Sequence, residues 1–152
     1  MNTFRYAFTG TILILCLAAT VTAQEKKLQP KDVPAAVTAA AAKAYPNAKI
    51  TAWVKETEDG KTLFEASMTE GQKKQDVVFT PDGKIDAVEE IVPSADVPAA
   101  VQKALKAKYP QAVVETAERI TRGKEVQYEL TLKNATKKEV LFASNGKILK
   151  EE

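Results

Sequence analysis

The sequence holds no histidine, and its one cysteine is Cys16. Without imidazole there is no Ser-His-Asp or Cys-His arrangement and no histidine-ligated metal. A surplus of one charge is missing too. The 22 basic and 20 acidic residues leave a net charge of +2, too weak a field to point to nucleic acid. Tryptophan occurs once, at Trp53. There is one sustained apolar run, from Ala7 to Val21, centred on Ile12, Leu13, Ile14, Leu15 and Leu17. It is shorter than the ~20 residues that a membrane-spanning helix needs.

Arg5 lies ahead of that run, and the small-residue stretch Val21-Thr22-Ala23 closes it. This order predicts a secretory signal peptide over residues 1–23, removed after Ala23. Cys16 raises the alternative of a lipidated cysteine, but the large Leu15 stands where such a site takes a small residue. Removal after Ala23 leaves a mature chain without cysteine, held by its core alone. The expected location is periplasmic or secreted, with no membrane contact after cleavage.

The remainder repeats itself. Asp32-Val33-Pro34-Ala35-Ala36-Val37 returns as Asp96-Val97-Pro98-Ala99-Ala100-Val101, and Tyr45-Pro46 as Tyr109-Pro110. Phe64-Glu65 is answered by Tyr128-Glu129, and Gly83-Lys84-Ile85 by Gly146-Lys147-Ile148. Ordered matches of this kind mark a duplicated unit, here residues 24–92 and 93–152.

Each copy opens on a helix pattern. Asp32 and Asp96 suit an N-cap, and Pro34 and Pro98 suit the first turn. Val97, Val101, Leu105 and Tyr109 make one apolar stripe, and Val33, Val37, Ala41 and Tyr45 make its counterpart. Pro46 and Pro110 stop both helices. Alternation then takes over. Val126, Tyr128, Leu130 and Leu132 share one strand face, followed by Val140 and Phe142. Phe64, Ala66 and Met68, then Val77 and Phe79, do the same in the first copy. Turns fall at Asp59-Gly60, Gly71, Asp82-Gly83, Gly123 and Asn145-Gly146. The expected fold is α+β: a tandem repeat of one helix packed on a four-stranded antiparallel sheet. The strands are expected at 48–57, 62–70, 75–81 and 84–91, then at 112–121, 125–133, 137–143 and 147–151. The short stretch from Ile91 to Ala95 argues for a fixed pair, joined edge to edge or face to face.

Motifs of chemistry are thin. Ser144-Asn145-Gly146-Lys147 fits Ser-x-x-Lys but overlaps a hairpin turn, where that serine has no helix to start. Asp82-Gly83-Lys84-Ile85-Asp86 lacks the further oxygens of a calcium loop. Asn134-Ala135-Thr136 marks an exposed turn, and Glu89-Glu90 and Glu151-Glu152 fit solvated strand ends. No catalytic residue, cofactor or metal site is expected.

Trp53 has two readings. Strict alternation with Ile50, Ala52 and Val54 sends it to the open sheet face with Thr51 and Lys55, as an anchor for a partner. A β-bulge would turn it inward as core. The candidate partner-binding face is Trp53, Lys55, Glu65, Ser67, Gln127, Glu129, Thr131 and Lys133.

The order Val-Pro-Ala-Ala-Val, Tyr-Pro-x-Ala, aromatic-Glu and Gly-Lys-Ile, present twice, resembles the PepSY-like, beta-lactamase-inhibitor-protein-like family. The likeness covers nearly all of residues 28–152. It implies export, a helix-then-sheet unit and a tandem arrangement, and it does not imply inhibition of a beta-lactamase. The expected function is a non-catalytic binding module whose partner is an extracytoplasmic protein. The alternative is a binder of a small apolar or anionic ligand in a groove between helix and sheet.

Overall fold

The computed structural model describes residues 26–58 and 60–152; the expected signal peptide lies outside them. Among the described residues, nine strands form one antiparallel sheet in chain order. They are β1 (Lys26–Leu28), β2 (Lys49–Glu58), β3 (Lys61–Glu70), β4 (Lys73–Phe79), β5 (Ile85–Ile91), β6 (Val113–Arg122), β7 (Glu125–Lys133), β8 (Glu139–Ala143) and β9 (Ile148–Glu151). The helices α1 (Ala35–Ala44) and α2 (Ala99–Lys108) pack on the same face of this sheet.

The expected four-stranded sheets, for which edge-to-edge and face-to-face joining were both open, meet edge to edge in one continuous sheet, to which β1 adds a further strand. The seam is the β5–β6 pair, with Val88 opposite Thr121 and Ile91 opposite Glu118. Val92 extends it, donating its N–H to the Ala117 carbonyl at 2.9 Å. The stretch after Ile91 is thus strand end and then a 3-10 turn over Ser94–Asp96, not a free linker. The short strand β1, which periodicity did not indicate, does for β2 what the end of β5 does for β6: Leu28 stands opposite Trp53.

The helix caps also differ from expectation. Asp32 and Asp96 end 3-10 turns and make no capping bond. The extended Pro34 and Pro98 precede the helices, and the Pro34 carbonyl accepts from Val37 and Thr38 N–H at 3.0 and 3.1 Å. Proline has no N–H to lose, so its carbonyl can open the helix without an aspartate cap. The helices end before Tyr45-Pro46 and Tyr109-Pro110, as the sequence indicates.

Two apolar clusters hold the helix layer to the sheet. Val33, Val37 and Ala41 of the first stretch meet Trp53, Phe64, Ala66, Met68, Val77 and Phe79. Val97, Val101 and Leu105 of the second meet Ala117, Tyr128, Leu130, Leu132, Val140 and Phe142. Both β4-β5 and β8-β9 turns run under a helix. A Cβ on Gly83 would lie 2.6 Å from the Ala36 carbonyl oxygen, and one on Gly146 2.5 Å from that of Ala100. Glycine there lets the turn touch the helix backbone.

Candidate functional site

Trp53 is core, not anchor. It is 6% exposed and packs in the cluster under α1. The cause is a bulge between Ile50 and Ala52, which puts one extra residue, Thr51, into β2 and shifts the alternation. β6 carries a bulge at the matching place, between Val114 and Thr116, and Ala117 is buried there. The same shift moves Lys55, which stands opposite the core residue Phe64 and so lies on the helix side. Trp53 and Lys55 therefore leave the proposed face.

The other six candidates share the helix-free side of the sheet, as their registers show. Glu65 and Ser67 stand opposite Val78 and Asp76; Gln127, Glu129 and Thr131 stand opposite Ala143, Leu141 and Glu139. Lys133 continues that parity at the rim, paired with Glu115 of the second bulge at 2.5 Å. The bulged Thr51 reaches this side too, donating its hydroxyl to the Ser67 carbonyl at 3.1 Å.

Two features of this face were not visible in the alternation. The first is an apolar floor. Leu63, Val78, Ala87 and Ile120 are buried there with Leu141 against them, although both helices stand on the opposite side. The second is a band of carboxylates. Asp76 stands directly opposite Glu89 across β4–β5, and Glu118 directly opposite Glu129 across β6–β7. Like charges in facing positions destabilise a sheet. The nearby cations, Arg122 toward Glu89 and Lys150 toward Glu129, offset this only in part. Lys73 and Arg119 instead converge on Glu90, on the helix side of the seam.

The band holds its protons tightly. Burial first, then a hydrogen bond and the repulsion of Glu56, pushes the Glu65 carboxyl up to about 8. Burial and then the charges of Glu65, Glu118 and Glu129 raise Glu89 to about 7, with Arg122 opposing them. Glu118 and Glu129 are raised too, again mainly by burial and then by neighbouring carboxylates. Carboxyl groups this perturbed, on a face with no covering layer, mark the site more sharply than any motif did. Beside them lies a depression of about 290 Å³ lined by Ser67, Lys74, Asp76, Glu89, Ile91 and Glu118, among others. Ile91 is 66% exposed there.

A second hollow, about 280 Å³, opens between α2 and the sheet over Val97, Leu105, Tyr109, Val114 and Leu130. Two polar groups at its edge are engaged within the chain: the Gln102 amide donates to the Val97 carbonyl at 2.8 Å, and the Tyr109 hydroxyl to Glu151. Among the described residues no group of three or more acidic, histidine or cysteine side chains is placed to hold a metal ion. No helix among them is long and apolar enough to cross a membrane.

One helix layer on one face of a long antiparallel sheet, with the other face uncovered, defines an α+β protein of sheet-surface type. The chain belongs to the family described as "Putative beta-lactamase-inhibitor-like, PepSY-like", whose model matches residues 19–85 and 62–150. Nothing among curated proteins matches it. Among solved structures it is similar to a DUF2874 family protein from Bacteroides uniformis, at 26% identity and a TM-score of 0.60, over 78% of this chain and 88% of the other. It is also similar to a "putative periplasmic" protein from Bacteroides eggerthii, at 25% identity and a TM-score of 0.61, over 79% and 88%. A BLIP-like protein from Bacteroides fragilis shares the fold at 24% identity and a TM-score of 0.57, over 78% and 85%.

Proposed function

We propose that this chain is an exported, non-catalytic binding module that holds an extracytoplasmic protein on the helix-free face of its sheet. The observation that carries the proposal is the uncovered floor of Leu63, Val78, Ala87 and Ile120, ringed by polar and acidic side chains. An apolar centre inside a polar rim is the anatomy of a protein interface. The "periplasmic" relative supports export, and the signal-like leader agrees with it. The sequence identities support a tandem duplication, two units fused through β5–β6 so that one surface spans both.

The hollow beside α2 favours a second reading, a small apolar ligand between helix and sheet. It is the weaker one, since the Gln102 amide and the Tyr109 hydroxyl on that wall are already bonded within the chain.

The test is capture of a partner from the envelope by the mature chain and by the face variants Gln127→Arg and Thr131→Arg. Both side chains stand on the open side, half-buried, so the fold tolerates the change. Recovery falls roughly tenfold or more in each variant, equivalent to about 1.4 kcal/mol, while the melting temperature holds. Undiminished recovery in both variants, with a loss on filling the α2 hollow by Ala112→Leu, would transfer the function to the second reading.

A further inference from the structure

The helix layer and the open face carry opposite charge, although the whole chain is nearly balanced. Neither α1 nor α2 contains an acidic residue; Lys43, Lys103, Lys106 and Lys108 are their charged side chains. The open face carries the carboxylates, two pairs of them face to face across adjacent strands. The cations near this band offset it only in part: Lys74 lines the depression, and Arg122 and Lys150 act against the raised Glu89 and Glu129 carboxyls. Arg122 stands 3.4 Å from Asp86, Lys150 2.6 Å from Glu152, and Lys133 serves Glu115 at the rim. Beside the carboxylates sits Ile91, exposed at the edge of the depression, directly opposite Glu118.

Facing like charges cost stability, and half-buried carboxylates cost more. An external cation removes both costs at once, by neutralising the repulsion and by hydrogen bonding to the charged form. An apolar side chain beside the cation would cover Ile91. Nucleic acid and anionic lipid are disfavoured by the same charge.

We propose that the open face takes a lysine- and arginine-rich protein segment carrying an apolar side chain, its cations over Asp76, Glu89, Glu118 and Glu129 and its apolar group against Ile91. This inference rests on the face being the docking surface and names the chemistry of what docks. Such a segment draws protons off the raised carboxyl groups as it binds, because the bound state favours their charged form.

Two synthetic peptides test it on the mature chain, one with lysines flanking leucine and one with glutamates in place of the lysines. The expected result is binding of the lysine peptide alone, with backbone amide shifts at Ile91 and Ile120. Affinity should weaken as salt rises. The double variant Glu118→Gln/Glu129→Gln should lose roughly tenfold or more in affinity, with a melting temperature that does not fall. Calorimetry in buffers of different ionisation enthalpy should show proton release on binding. Equal binding of the glutamate peptide at the same amides overturns the charge requirement and leaves the face as the docking surface. Shifts confined to α1 and α2, or no binding of either peptide, overturn the inference. Shifts confined to the helices, together with unchanged capture by the Gln127→Arg and Thr131→Arg variants, overturn the docking surface as well. Self-association through the face, acidic side to helix lysines, also overturns it, since the occupant is then a second copy.

Discussion

Trp53 shows how the two stretches solve one packing problem with different residues. Its cross-strand neighbour is Ala66, and Ala41 of the helix shares its core cluster. At the matching places the second stretch has Ala117, Leu130 and Leu105. One indole thus answers two leucines, which keeps the volume between helix and sheet filled. Trp53→Ala empties that space and should cost about 3–5 kcal/mol by chemical denaturation. Adding Ala41→Leu and Ala66→Leu should recover a good part of the loss, because the triple variant copies the other stretch. A loss under about 1 kcal/mol for Trp53→Ala would show that the indole is not packed core. Gly146 makes a second point at this scale. Its φ is 87°, and a Cβ there would meet the Ala100 carbonyl oxygen at 2.5 Å. Gly146→Ala should cost more than about 1 kcal/mol, against a smaller penalty for Gly123→Ala, where nothing lies within 4 Å.

At the scale of elements, the helices, the glycine turns and eight of the nine strands were legible in the sequence, because period and punctuation agree there. The aromatic-Glu motif was legible too: Phe64 and Tyr128 enter the core while Glu65 and Glu129 face outward. What alternation left open was the bulge, the second of the two readings of Trp53 and the one the structure holds. A single extra residue reverses the face of everything after it, and that moved Trp53 and Lys55 to the helix side. The spacing Ile50…Trp53 and Val114…Ala117, three rather than two or four, is the signal a sequence reader could have used. The sheet's continuity was hidden for another reason: strand pairing across β5–β6 leaves no periodicity of its own. The facing carboxylates follow from those registers and have a pH signature. Glu65 and Glu89 bind protons more tightly in the folded chain, at about 8 and about 7, than an unfolded glutamate does. Over the interval from the ordinary glutamate range up to those values, the native state holds more protons, so stability falls as pH rises. The free protein should melt at a higher temperature at pH 5 than at pH 8. Glu89→Gln should shrink that difference, as the amide stays neutral. A melting temperature that climbs between pH 5 and pH 8 would contradict the buried band.

For the whole molecule, three facts combine into one surface. The sheet is continuous across both halves of the chain, both helices stand on one side of it, and acidic groups gather on the other. Separate sheets would have given two small faces; the β5–β6 seam makes a single broad one, with Ile91 and Glu118 near its middle. We propose that a partner protein sits on that face. The most direct measurement places a photo-crosslinking side chain at Gln127, on the open face, or at Lys103, on the solvent side of α2, and irradiates the mature protein in its own envelope. Both positions lie outside the buried core, so both variants should fold. The account predicts a discrete crosslinked product from Gln127 that disappears in the Glu118→Gln/Glu129→Gln background, and none from Lys103. The same product from Lys103, with none from Gln127, would contradict it.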